Sequence, residues 1–179
     1  MGRVRQAGRV GLVGFTLMLS AAPGARQLLP PPGDGDIRTV YWELQNVSDV
    51  WLTLEPRTVK GERAPLMTFT YRFPGKRQNE AARDVEVQAF SERFWAPRAE
   101  LWFELDGAER IDLSAPAHNT PLLEGGASDY WSGRVPIGVM RRIASAHQVR
   151  GSSLGFPFEL SAPQRQAIRT WLERTESRR

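Results

Sequence analysis

The segment MTFTYRF, residues 67–73, sets Met67, Phe69, Tyr71 and Phe73 on one side of an extended chain and Thr68, Thr70 and Arg72 on the other. A two-residue period marks a half-buried strand, because successive Cβ atoms point to opposite faces. The alternation recurs in RTVYWELQ (38–45), where Val40, Trp42 and Leu44 oppose Tyr41 and Glu43, in VWLTL (50–54) and in VEVQA (85–89). It returns in AELWFEL (99–105), after which Asp106-Gly107 predicts a tight turn into RIDLS (110–114). Short strands parted by turn-rich loops predict an antiparallel sandwich.

Two stretches change period. In PIGVMRRIASAH (136–147), Ile137, Met140, Ile143 or Ala144, and His147 recur at helical spacing behind Pro136, which suits a helix start. Leu154, Phe156, Phe158 and Leu160 then alternate and read as one last strand behind a flexible stretch from Gly151 to Gly155. The closing helix carries the clearest signals. Ser161 and Gln164 form a capping box, Pro163 lies in the first turn, and Ile168, Trp171, Leu172 and Thr175 make a buried stripe. The expected fold class is mainly β (α+β): an antiparallel β-sandwich with a short helix before the last strand and a C-terminal helix after it.

The amino terminus follows another pattern. Arg3, Arg5 and Arg9 precede an apolar run from Val10 to Leu19 and then the small residues Ser20, Ala21, Ala22, Gly24 and Ala25. That is the layout of a cleaved secretory signal, and the run is about half the roughly 20 apolar residues of a spanning helix. Residues 1–25 are expected to be a signal peptide, 26–36 a Pro/Gly-rich linker that starts no fold, and 37–179 a single domain. With the signal gone the expected location is periplasmic or extracellular, with no transmembrane span. The chain has no cysteine, so its stability must come from packing rather than disulfides.

Charge then narrows the function. Of 24 basic and 20 acidic residues the signal removes three basic ones, which leaves 21 against 20. A nearly neutral mature protein lacks the electrostatic footprint of nucleic-acid binding. The charges nevertheless fall in blocks: residues 57–83 hold seven basic and two acidic groups, with Arg57, Lys60, Arg63, Lys76, Arg77 and Arg83 in two loops. If both loops emerged at one end of the sandwich, they could hold an acidic protein, an anionic lipid or an acidic glycan.

A second candidate surface comes from the recurring triplets Trp42-Glu43-Leu44, Phe103-Glu104-Leu105 and Phe158-Glu159-Leu160. If these strands were neighbours, Tyr41, Glu43, Trp102 and Glu104 would join Glu100 on one aromatic and acidic sheet face, as in a sugar-binding surface. Carboxylates paired across a cleft would serve a glycosidase. The duller explanation is a solvated face whose charges deter aggregation.

No nucleophile elbow, phosphate loop or metal-ligand spacing is present, His147 sits on the apolar stripe of its helix, and His118 lies in a loop, residues 115–126. No cofactor, metal or catalytic residue is implied. The expected function is an exported, non-enzymatic binding or structural domain of the cell envelope. The alternatives are a small carbohydrate-binding or hydrolytic protein using the aromatic and acidic face, or a dimer or adaptor using an open sheet edge.

Overall fold

The computed structural model describes residues 33–58, 60–91, 100–113, 117–119, 122–123, 126–127 and 129–176. The signal segment and most of the linker lie outside the described residues. Fourteen elements run in chain order: β1 (Ile37–Trp42), β2 (Val47–Leu54), β3 (Leu66–Pro74), β4 (Asp84–Ser91), β5 (Leu101–Leu105), β6 (Glu109–Leu113), β7 (Ala117–Asn119), β8 (Leu122–Leu123), β9 (Gly126–Ala127), β10 (Asp129–Pro136), α1 (Ile137–Ser145), β11 (Val149–Ser153), β12 (Phe156–Glu159) and α2 (Ala162–Glu176). The fold is mainly β with two helices, one mid-chain and one at the end, as the periodicity predicts.

Strands β1 to β4 form an antiparallel meander, and β10 and β7 extend it to a six-stranded sheet of order β1-β2-β3-β4-β10-β7. A four-stranded antiparallel sheet has the order β12-β11-β5-β6, and β8 and β9 make a small ladder of their own. One face of each larger sheet joins a shared core. Leu52, Leu54, Met67, Phe69 and Val87 come from the first sheet, Leu101, Phe103, Val149 and Phe158 from the second.

Helix α2 docks on that core through its predicted stripe. Trp171 is wholly buried, its ring centroid lies 6.2 Å from that of Phe69, and its Nε1–H donates to the Val50 carbonyl at 3.1 Å. The capping box forms as expected: the Ser161 N–H donates to Gln164 Oε1 at 2.9 Å, and the Gln164 N–H to Ser161 Oγ at 3.3 Å.

Several local expectations are corrected. The strand read through residue 45 ends at Trp42, and Glu43–Gln45 form a 3-10 turn that leaves Leu44 83% exposed. Asn46, with φ 50°, reverses the chain there. The stretch from Gly151 to Gly155 is not a flexible lead-in. Gly151 belongs to β11, and a Cβ there would come within 2.4 Å of the Trp102 carbonyl oxygen and 2.6 Å of the Phe158 ring. Leu154-Gly155, with φ 52° and 79°, turns β11 into β12. Two successive positive φ values mark a tight hairpin turn, and the buried Leu154 side chain offsets the strain of its backbone.

The acidic end of the linker is ordered. Asp34 Oδ1 accepts from the Glu55 N–H at 2.8 Å and from Gln164 Nε2 at 3.0 Å, which ties the entry strand to α2. Helix α1 stops at Ser145, so His147 is an exposed residue of the following bend rather than part of the apolar stripe. Residues 115–126, read as a loop, contain the backbone strands β7 and β8 and the start of β9; the His118 side chain lies outside the described residues.

Candidate functional site

The two basic loops do not meet. Residues 55–65 connect β2 to β3 and residues 75–83 connect β3 to β4, so they leave the meander at opposite ends of the nine-residue strand β3. At about 3.3 Å per residue the separation is roughly 30 Å. Arg57, Lys60 and Arg63 are exposed at one end, Lys76, Arg77 and Arg83 at the other. The first loop is held locally: Arg57 Nη1 donates to the Gly61 carbonyl at 3.2 Å, and Arg57 forms backbone bridges to Arg63 and Glu159.

The aromatic and acidic candidates are parted too. Tyr41 lies on β1 of the six-stranded sheet and Glu43 in the 3-10 turn after it, whereas Trp102 and Glu104 lie on β5 of the four-stranded sheet. Two of the rings already carry a cation. Lys76 Nζ sits 4.7 Å from the Tyr41 centroid, and the Arg110 guanidinium carbon 4.3 Å from that of Trp102. Each is cation–π geometry that occupies a face a sugar would need.

Register further places Glu159, Arg150, Glu104 and Arg110 side by side across β12, β11, β5 and β6. Arg150 pairs with Glu159 at 3.6 Å, and both side chains are about half exposed, at 56% and 46%. This is a ladder of alternating sign whose charges cancel locally on an open face. Glu104 and Glu159 are separated by the cation-bearing β11, and Glu43 lies in the turn that follows β1 of the other sheet. Along the row each of Glu104 and Glu159 has a base, not a second acid, as its cross-strand neighbour.

The outer face of the six-stranded sheet has a different character. Asp49 on β2 is fully buried although it points away from the core. Its register partner on β3 is Arg72, whose Nε donates to Oδ1 at 2.7 Å and whose Nη2 donates to Oδ2 at 2.8 Å. Trp42 Nε1 adds a third bond to Oδ2 at 2.8 Å, and the Trp42 ring packs 6.0 Å from Trp51 at a tilt of 50°. A buried carboxylate needs such compensation, since desolvation alone would be prohibitive. The bonds Arg72 donates to Asp49 raise the Arg72 pKa above its already high ordinary value. The arginine is thereby fixed in orientation, yet its side chain remains 51% exposed.

Beside Arg72 lies a groove of about 530 Å³. Thr70, Arg72 and Pro74 of β3 form one side, Asp84 and Glu86 of β4 lie alongside, Arg134 of β10 closes the far side, and Asn79, Glu80, Ala81 and Arg83 overhang it. The overhang is anchored. Gln78 Nε2 donates to the Glu80 carbonyl at 3.1 Å and to the Thr175 carbonyl of α2, the Ala82 N–H donates to the same Thr175 oxygen at 3.2 Å, and the Ile137 N–H of α1 donates to the Arg83 carbonyl at 2.9 Å.

Tyr71 Oη also donates to the Glu80 carbonyl, at 3.0 Å; burial first, and then the nearby Glu80 and Asp84 charges, push the Tyr71 pKa up. Three guanidinium groups and three carboxylates thus line one groove. Among the described residues no three His, Asp or Glu side chains gather as metal ligands would.

Of the residues expected from sequence only Arg83 reaches this groove. Arg72 and Thr70 stand on the wet side of the alternation in MTFTYRF, which signals exposure but not what they face. Asp49 carries a clearer sign, an acid alternating with Trp51 and Thr53 inside a strand, and its partner becomes visible only once the β2–β3 register is known. Among the described residues no helix is long and apolar enough to cross a membrane. No protein-family model, curated protein or solved structure matches this chain.

Proposed function

We propose that the chain is an exported, non-enzymatic binding domain of the cell envelope, and that it binds through the groove beside Arg72. The export half of this reading is supported by the amino-terminal pattern of Arg3, Arg5 and Arg9, a short apolar run and a small-residue zone. The binding half is carried by one observation: Asp49, wholly buried, holds the half-exposed Arg72 by two hydrogen bonds. A guanidinium oriented in advance loses little freedom when it meets a ligand. The glycan reading is weakened because Tyr41 and Trp102 each carry a cation over the ring.

Envelope fractionation with the full chain tests both halves. Mass spectrometry should find a mature form lacking about the first 25 residues, the usual length of a signal, and that form should co-sediment with isolated envelopes. Arg134→Gln, which leaves the Asp49–Arg72 pair intact, should weaken co-sedimentation, whereas Lys60→Ala in the remote loop should not. An unprocessed chain in the cytosol, or equal co-sedimentation of both variants, contradicts the reading.

A further inference from the structure

The groove is balanced in charge, and that balance is informative about its ligand. Register aligns Thr70, Glu86 and Arg134 across β3, β4 and β10, and Arg72, two residues along β3 from Thr70, stands diagonal to Glu86, whose charge acts on it. Direct cross-strand neighbours lie about 5 Å apart and diagonal ones about 7–8 Å, which keeps both arginines within side-chain reach of a ligand that also meets Glu86. A simple anion drawn to Arg72 would also meet Glu86, and a simple cation drawn to Glu86 would also meet both arginines. A ligand bearing both signs gains at each.

The donors and acceptors left over fit the same chemistry. Of the five N–H groups of Arg72, Asp49 takes one from Nε and one from Nη2. The remaining N–H groups lie on the Nη1 and Nη2 side, the edge that receives a second carboxylate. Glu86 accepts from Gln88 Nε2 through Oε1 at 2.7 Å, which leaves Oε2 for an ammonium. The volume of about 530 Å³ falls within the roughly 300–1,000 Å³ range of small-ligand sites.

We infer that the groove binds a short zwitterionic peptide, its carboxylate on Arg72 and its amine on Glu86. The inference rests on the groove being the binding site. Triglycine is the minimal probe, and its N-acetylated and C-terminally amidated forms each delete one charge. In amide NMR spectra of the full chain, triglycine should shift the signals of Thr70, Arg72, Glu86 and Arg134. Each blocked form should bind about tenfold more weakly, as expected when one charge-assisted contact is lost. In Glu86→Gln the penalty for acetylation should vanish while the penalty for amidation persists, and the unchanged remainder of the spectrum reports an intact fold.

Blocked peptides that bind as well as triglycine overturn the zwitterion inference but leave the groove as the site. So does the absence of any triglycine shift while envelope co-sedimentation still depends on Arg134. Triglycine shifts confined to residues remote from the groove overturn the site itself.

Discussion

The outer faces of the two larger sheets use the same residue types to opposite ends. On the four-stranded sheet, Glu159, Arg150, Glu104 and Arg110 stand in a row and cancel one another, Glu104 half-buried and the other three exposed to water. On the six-stranded sheet one carboxylate, Asp49, is withdrawn from water completely and bonded three times over. An exposed pair is screened and contributes little, whereas a buried carboxylate obliges its partners to stay where they are. What distinguishes a surface built to hold a side chain in place from one that merely stays soluble is burial of the ion, not the number of charges.

The contrast can be broken first at Arg72. Arg72→Met leaves Asp49 with Trp42 alone and should lower the urea-unfolding free energy by about 3 kcal/mol, the low end for a broken buried pair because water gains access once the arginine is gone. Trp42→Phe removes one donor to the same carboxylate and should cost about 1.5 kcal/mol. Tyr71→Phe, on the groove side, should cost about 1 kcal/mol at neutral pH through its lost bond to the Glu80 carbonyl.

The Tyr71 change also carries a pH signature. The folded-state pKa of Tyr71 lies above the ordinary value of 10.0, so folding retains a proton that the unfolded chain gives up. Its contribution is complete below 10.0 and is lost as pH rises through the folded-state value. The stability gap between wild type and Tyr71→Phe should therefore narrow in alkaline urea titrations; a gap independent of pH would remove the burial argument for that wall of the groove. At the other extreme, Arg150→Met on the four-stranded sheet should change stability by less than about 0.5 kcal/mol. A loss there equal to that at Arg72 would erase the distinction between the faces.

Much of the architecture was legible because one-sided burial imprints a period on the chain. Met67, Phe69, Tyr71 and Phe73 face inward as their spacing requires, and Ser161 and Gln164 cap α2 as their separation requires. Strand β10 was not legible. Ser132 and Gly133 interrupt its alternation, and its inward residues are as unlike as Trp131, Gly133 and Val135. The hairpin at Leu154-Gly155 was hidden by a leucine in a backbone conformation that ordinarily selects glycine or asparagine.

The site escaped for a different reason. Its pairing of Asp49 with Arg72 depends on register across the connection 55–65, and a connection of eleven residues does not set register as a two-residue turn does. The opposed basic loops, by contrast, follow from topology alone: consecutive connections of a meander leave the sheet at alternate ends.

The most direct measurement is a pair of double-mutant cycles, Asp49→Leu with Arg72→Met on one face and Glu159→Gln with Arg150→Met on the other. A clamped arginine predicts a coupling above about 2 kcal/mol for the first cycle, with the double variant regaining stability lost in Arg72→Met, and a coupling below about 0.5 kcal/mol for the second. Two couplings of the same small size would contradict it, because Arg72 would then be an ordinary surface arginine with no fixed groove beside it.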